Sequence, residues 1–460
     1  MYCISVDIGT TTFKVALFRD AKRLRTVERE YAIHCFPDGG VEQDAEDWVR
    51  LFERAVGELK ADLPEGCAPK IVVSAQSITC VPVDRKGKPL CPALSWLDAR
   101  AGKECEQLDK LFGPGELFSL TGKRATAQYT LQKILWLRNN RPEIFAKTYK
   151  FLLPADFLIA TLTGNFYTEH TFAAGTLLYG LRERDWNARI LSVCDLNRAL
   201  LPDILEAGAS AGKLTREAAH RLGLFEDCEV LFGCQDQKTA ALAAGISREV
   251  ATLSLGTAGA IEFLIREPVF DPDQGLPCFP YPGGGFVLEG VLPTAGACIK
   301  WLKNLLNTKN YDELDTLAES APAGANGVRF LPNLSGEGSP DYKERAASVS
   351  GLSLNTGRAD LVRAAFEGIA LLILKNLRRA QALGATPTRL SLFGGGAKSP
   401  ILCQIIADVC NMPVLRLEDP ETVLLGNAAI AGAILPDSPA RTVLPDPARS
   451  AFYREFFSAC

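Results

Sequence analysis

This sequence is short of the residues and patterns that carry most metal, redox and polyanion chemistry. Its 460 residues include three histidines, His34, His170 and His220. No His-Glu-x-x-His occurs, so a zinc hydrolase has almost nothing to build with. Fourteen cysteines are scattered from Cys3 to Cys460 without one Cys-x-x-Cys pair. That spacing removes the usual zinc and disulfide frameworks and leaves reduced thiols packing as small hydrophobes. A basic excess is missing too. Lys plus Arg number 50 against 54 Asp plus Glu, a net charge of −4, the opposite of what a nucleic-acid backbone selects. No apolar run reaches the roughly 18 residues of a membrane span; the best, Ala370-Leu371-Leu372-Ile373-Leu374, is too short. The start lacks a basic n-region and meets an acid at Asp7, so a secretory signal is not expected. These absences lead us to expect a cytoplasmic protein with neither nucleic acid nor membrane as partner.

Two nucleotide signatures are absent as well. Gly87-Lys88, Gly102-Lys103, Gly122-Lys123 and Gly212-Lys213 all lack the Ser or Thr that completes a Walker A loop, and there is no His-Arg-Asp catalytic loop. A P-loop enzyme and a protein-kinase relative are both excluded.

What is present is a chain long enough for two domains. Ile4, Val6 and Ile8 alternate, the pattern breaks at Gly9-Thr10-Thr11-Thr12, and it resumes at Val15 and Leu17. This predicts a β-hairpin with a threonine-rich tip. Thr252-Leu253-Ser254-Leu255, Gly256-Thr257-Ala258-Gly259 and Ala260-Ile261-Glu262-Phe263-Leu264 repeat the pattern. Two such hairpins suggest a duplicated architecture with one opening each domain. Helices are expected around 131–139, 238–246 and 359–381, with the domain boundary near 247–250, giving domains 1–247 and 248–460. Leu390-Ser391-Leu392-Phe393 should be a short strand running into Gly394-Gly395-Gly396-Ala397. Ser399 and Pro400 suit the N-cap and first turn of a following helix. Gly283-Gly284-Gly285 and the tail after Pro436 read as loops. Strands and helices mix in both halves, so the class is α/β.

Phosphoryl transfer needs donors around phosphates, a carboxylate near Mg²⁺ and a base beside the attacking hydroxyl. Gly9, Thr10, Thr11 and Thr12 offer amides and hydroxyls at a tip, and Asp7 could orient magnesium through water. A plain polar turn with a capping aspartate fits the same residues. Its recurrence at Gly256 and Thr257 suggests a phosphate clamp. The loop at Gly395, Gly396 and Ala397 is a third candidate, helped by the helix behind it. Asp236 follows the apolar run Val230-Leu231-Phe232, where a strand-end carboxylate could take a proton from a substrate hydroxyl, with Gln237 beside it. An ordinary helix N-cap is the other fate of such an aspartate. Trp96, Asp98 and Arg100 alternate along an expected strand, as an acceptor platform or as a structural ion pair beside a buried tryptophan.

Taken together these segments resemble the FGGY carbohydrate kinases through nearly the whole chain. Asp7-Ile8-Gly9-Thr10-Thr11-Thr12 is similar to that family's first phosphate motif, and Gly40-Val41-Glu42-Gln43-Asp44 to the segment that follows it. Ser254-Leu255-Gly256-Thr257 resembles the second phosphate motif, Ala295-Gly296-Ala297 the next nucleotide turn, and Gly394-Gly395-Gly396-Ala397-Lys398-Ser399-Pro400 the adenosine motif. The segment from Leu331 to Pro340 resembles the Gly-Glu-Arg-Ser-Pro block, with Gly338 where the arginine usually stands. Ala75-Gln76-Ser77-Ile78-Thr79 departs from the Met-His-Gly usual in xylulose kinases, and the Arg-Glu pair of glycerol kinases is absent.

The resemblance implies two actin-like, ribonuclease-H-type domains with an interdomain active-site cleft, and possible homodimers. It implies ATP and Mg²⁺ as cofactors. Asp236 would be the base, and Asp7 and Asp236 would lie near the metal. Gln76, Ser77, Trp96, Asp98, Asp236 and Gln237 would hold the acceptor. Gly9, Thr10, Thr11, Thr12, Lys14, Gly256, Thr257, Gly296, Lys300, Gly395, Gly396 and Ala397 would hold ATP. The expected reaction is phosphorylation of a small sugar or polyol, a ketopentose such as xylulose, with a polyol or aldonate as alternative acceptor. From another class comes an actin-like ATPase or nucleotide sensor that lost the sugar; stimulation of ATP consumption by sugars separates the two.

Overall fold

Ile4, Val6 and Ile8 of the first strand, Tyr2–Ile8 (β1), turn into one apolar core while Cys3 enters a second. Burial on both faces is the mark of a central strand. In the computed structural model, which describes residues 1–113, 115–343, 345–435 and 440–458, β1 folds back on Thr12–Arg19 (β2) and then Lys22–Glu30 (β3). Lys70–Ala75 (β4) lies parallel to β1, Ser210–Lys213 (β5) is an edge strand, and Glu229–Gln235 (β6) lies parallel to β4. The sheet order is β5-β6-β4-β1-β2-β3.

One face is covered by Ala45–Leu59 (α1) and Pro154–Thr163 (α2), whose Trp48, Phe52 and Phe157 share a core with β1 and β4. Asp44 caps α1 by accepting from Glu46 N at 3.0 Å, and Glu46 and Asp47 favour the positive end of the helix dipole. The other face takes the helix Thr422–Ile430, through Leu424 and Ala428. That helix packs on Asp236–Ala243 (α3) at Gly426, where a Cβ would stand 2.2 Å from the Thr239 carbonyl oxygen. These elements form one unit, Met1–Ala243 with Cys278–Gly285 and a segment that starts at Glu421. Its long first stretch ends before the expected 247/248 boundary.

The second unit holds most of the remaining chain. Val250–Leu255 (β7) and Gly259–Ile265 (β8) form its hairpin, and Phe286–Leu292 (β9) continues outward antiparallel. On the other side of β7 come Arg389–Phe393 (β10) and Val414–Leu417 (β11), both parallel, then Ala440–Val443 (β12), antiparallel. Each unit thus contains a hairpin, as the repeated pattern predicted, and in each the first strand also pairs with a parallel neighbour. Gly296–Leu305 (α4), Arg358–Ala382 (α5) and Pro400–Cys410 (α6) belong to this unit. Ser399 caps α6 by accepting from Leu402 N at 3.1 Å.

Three expectations need correction. The helix expected over 238–246 is Asp236–Ala243, so Asp236 is its first residue and Gln235 ends the strand. The segment at 96–100 is a turn, with strand only at Ala93–Leu94, because Asp98 accepts from Val41 N at 2.9 Å and Arg100 N at 3.1 Å and draws the chain out of extension. The tail is not all loop. Residues 436–439 lie outside those described, but β12 follows, and Asp446 caps a helix Pro447–Phe456. Among the described residues the cysteines are unbridged and mostly buried, and no helix is long and apolar enough to cross a membrane.

Candidate active site

In the first unit, β1, β4 and β6 run parallel, and their carboxyl ends carry Asp7, Gln76 and Asp236. The register sets Asp7 beside Ser74, and both Ile8 and Gln235 beside Ala75. Carboxyl ends of parallel strands are where open α/β sheets hold ligands. Asp7 Oδ1 is buried without a hydrogen-bond partner among the described residues. Burial, and then the neighbouring Asp236 carboxylate, push the Asp7 pKa up to about 8, with Lys14 pulling the other way. Asp236 Oδ1 accepts from Gln237 N at 2.7 Å.

The bend after β1 is closed by Gly9 N donating to Thr12 O at 3.0 Å. Its outer side is held by groups the sequence did not single out. Tyr31 Oη donates to Gly9 O. Gln43 Nε2 donates to Thr10 O at 2.7 Å, and Gln43 Oε1 accepts from Gln76 Nε2 at 3.0 Å. Gln43 had a signal in the Gly40–Asp44 motif, but spacing alone gave it no task. Trp96 Nε1 donates to Thr10 Oγ1 at 2.8 Å, so the aromatic reaches the threonine bend. Thr11 is exposed and Thr12 half-buried. Lys14 Nζ pairs with Glu421 at 2.9 Å.

Gln76 and Ser77 are buried, and Gln76 Oε1 and Ser77 Oγ have no partner among the described residues. The next residue, Ile78, has φ 57°, a strained setting for a β-branched side chain. Its carbonyl accepts from Lys133 Nζ at 2.9 Å and Thr130 Oγ1 at 3.2 Å. Burial lowers the Lys133 pKa to about 7, against the opposing pull of Cys80 and Asp98. Asp98 itself is buried and spent on structure. Arg100 bonds it at 2.6 Å, reaches Glu42 at 2.8 Å and lies over the Trp136 ring at 4.5 Å. The structural ion-pair reading therefore describes Asp98 and Arg100, and Asp98, expected in the acceptor set, is taken up by that pair.

In the second unit, Gly256 O accepts from Gly296 N at 2.8 Å and Thr257 O from Ala297 N at 2.9 Å, so the β7–β8 bend sits on the start of α4. A Cβ on Gly296 would lie 2.4 Å from Gly256 O. Lys300 is exposed on α4. Gly395, Gly396 and Ala397 lie in a single turn, Gly395–Lys398, pressed on the end of β7; a Cβ on Gly396 would stand 2.7 Å from Leu255 Cβ. All three glycine motifs of this unit therefore meet. Beside them lies a cavity of about 260 Å³ lined by Gly394, Ala397, Lys398, Arg416, Glu418 and Arg441, among others. The two arginines carried no sequence signal. Gly338 has no room for the side chain usual in its motif, since a Cβ there would come 2.1 Å from Val291 O.

Residues 2–243 match the model for the FGGY family of carbohydrate kinases, N-terminal domain, and residues 251–435 the model for its C-terminal domain. A xylulose kinase of Lactococcus lactis subsp. lactis is 31% identical over 444 residues, covering 94% of this chain and 87% of the relative. One from Haemophilus influenzae is 32% identical over 440 residues, covering 92% and 89%. The crystal structure of xylulose kinase from Rhodospirillum rubrum is similar at a TM-score of 0.93 and 27% identity, covering 100% of this chain and 98% of the other.

Proposed function

The chain belongs to the FGGY family of carbohydrate kinases, and from that premise we propose that it transfers the γ-phosphoryl group of ATP to a hydroxyl of a ketopentose, xylulose before others. It is a sugar kinase, with ATP as the phosphate donor. One observation supports the assignment of roles above all. The ends of three adjacent parallel strands set the half-buried acids Asp7 and Asp236 and the buried amide Gln76 side by side.

In this reading Asp236 accepts the proton of the attacking hydroxyl. Gln76, Ser77, Trp96 and Gln237 orient the acceptor. Gln76 Oε1 and Ser77 Oγ have no partner among the described residues, so they can meet sugar hydroxyls without first giving up a bond. Gly9, Thr10, Thr11, Thr12, Lys14, Gly256, Thr257 and Gly296 bind the phosphates with amides, hydroxyls and a cation. Lys300, Gly395, Gly396 and Ala397 bind the rest of the nucleotide.

Asp7 and Asp236 suit Mg²⁺. Asp7 Oδ1 is buried without a partner among the described residues, and burial and then Asp236 raise the Asp7 pKa, a cost that a nearby cation would offset. Mg²⁺ keeps much of its water and leans on phosphate oxygens, so a few carboxylate oxygens suffice for it. When bound, Mg²⁺ supplies charge neutralisation at the phosphates.

Two cations of this part of the first unit are committed: Arg100 to Asp98 and Glu42, and Lys133 to the carbonyls of Ile78 and Gln128. That favours an uncharged acceptor over an aldonate. ADP release measured with xylulose, ribulose, glycerol and gluconate tests the reading. Xylulose should give the largest kcat/KM and gluconate the smallest. ATP consumption indifferent to every acceptor would instead make the protein a nucleotide hydrolase or sensor.

A further inference from the structure

The strand that delivers Asp236 leaves its ladder just before the carboxylate. The β6–β4 register shifts between Phe232 and Gln235, and the amides of Cys234 and Gln235 end on side-chain hydroxyls. Gln235 N donates to Thr171 Oγ1 at 2.9 Å. Cys234 N donates to Ser74 Oγ and Thr239 Oγ1, both at 3.2 Å.

A hydroxyl has one proton to give, so its role as acceptor is fixed once that proton is placed. Thr171 gives its own to Glu169 Oε2 at 2.6 Å. Asn427 Nδ2 donates to Val6 O at 2.9 Å, beside Asp7, which leaves Asn427 Oδ1 to accept from Ser74 Oγ at 2.7 Å. Ser74 and Thr171 are thereby both turned to receive the backbone. Thr171, Ser74, Thr239, Asn427 and Glu169 are each at most 1% exposed, so water does not compete for these bonds.

On the reading that Asp236 is the base, we propose that Thr171 and Ser74, oriented by Glu169 and Asn427, are positioning residues that fix where its carboxylate stands. Neither touches the substrate. A β-bulge frees two amides to turn the chain, and buried hydroxyls take over the restraint the sheet gave up.

The test is Thr171→Val, which keeps the shape and removes the hydroxyl, against Thr171→Ser, which restores it, in the full chain with ATP and xylulose. A misplaced catalytic group loses on the order of 100-fold in rate. Thr171→Val should therefore lower kcat roughly 10- to 100-fold and leave KM for ATP unchanged, while Thr171→Ser recovers most of the rate. If Thr171→Val does not fold, Ser74→Ala reads the same quantity at the other amide and should lower kcat in the same way. Wild-type kcat in whichever variant folds, or a loss in Thr171→Val that a fully stable Thr171→Ser does not recover, overturns the proposal. Asp236→Asn measured alongside tells two failures apart: near wild-type turnover there removes the base itself, whereas its loss with Thr171→Val at full rate overturns the positioning role alone.

Discussion

Asp236 lies close enough to Asp7 that its carboxylate adds to burial in raising the Asp7 pKa. A negative charge beside Asp7 makes its ionisation costlier, and a cation bound nearby would relieve that cost. The two acids stand on different elements: Asp7 is inside β1, and Asp236 opens α3. Asp236→Asn is expected to reduce turnover by 100- to 10,000-fold, on the order of general-base contributions, with ATP affinity by calorimetry changed less than about threefold, well under 1 kcal/mol. Asp7→Asn should instead raise the Mg²⁺ concentration needed for half-maximal rate. A variant at Asp7 with the wild-type Mg²⁺ requirement would remove that residue from the metal's surroundings.

Trp96 is bonded to the bend it overhangs. Its indole N–H reaches Thr10 Oγ1 at 2.8 Å, and a hydrogen bond of this kind is worth about 1 kcal/mol. Trp96→Phe keeps a ring and loses the bond, so KM for ATP should rise about fivefold while KM for the acceptor stays near its starting value. Trp96→Ala should raise both. Equal ATP KM in all three proteins would show that the bond plays no part in holding the phosphates.

Alternation of apolar residues around Gly-Thr tips made both hairpins legible, because strand period and turn chemistry are local properties. The start of α6 was legible for the same reason, Ser399 and Pro400 being local cap signals. Asp236 stood out in its Gly-Cys-Gln-Asp-Gln setting, yet the bonds that hold it did not. Thr171 lies in a different element from Gln235, and Asn427 comes 353 positions after Ser74. Such a network depends on the register of β4 against β6 and on a bulge, neither of which a sequence pattern encodes. Trp96, Asp98 and Arg100 misled for a related reason. Their period suited a strand, but a buried carboxylate accepting two backbone amides turned the chain instead. Gly338 stands where the motif usually has an arginine, and the nearby carbonyl of Val291 leaves no room there for a side chain.

Glycine at 296 is a close-approach residue. Alanine there would put its Cβ 2.4 Å from the backbone oxygen of Gly256, an atom with no flexible side chain to swing away. Gly296→Ala should displace the Gly256–Thr257 bend, cost roughly 1–3 kcal/mol of stability and raise KM for ATP about tenfold or more. Gly57→Ala is the matched control: it lies within α1, and beyond its own helix nothing among the described residues comes within 4 Å of its Cβ position, and alanine in a helix interior is expected to stabilise by up to about 1 kcal/mol. Thermal unfolding and nucleotide titration of both variants would separate them, and an unaltered nucleotide titration for Gly296→Ala would remove the steric argument.

Asp156 gives stability a pH dependence opposite to that of an ion-paired carboxylate. It is buried, accepts from Leu153 N at 3.0 Å at the start of α2, and burial pushes its pKa up from the ordinary 3.8 to about 8, only partly opposed by that bond. In the unfolded chain the group ionises near 3.8; in the folded chain it keeps its proton to about 8. Between those values the native state binds more protons than the unfolded state, so stability falls as pH rises across the interval and levels off above it. Each pKa unit of difference corresponds to about 1.4 kcal/mol. Asp156→Asn keeps an acceptor for Leu153 N and has no proton to lose. Its urea midpoint should therefore fall less steeply than the wild type's from pH 5 to pH 8, the two curves converging at the acid end. Parallel curves across that range would mean that Asp156 ionises alike in both states and that burial does not govern it.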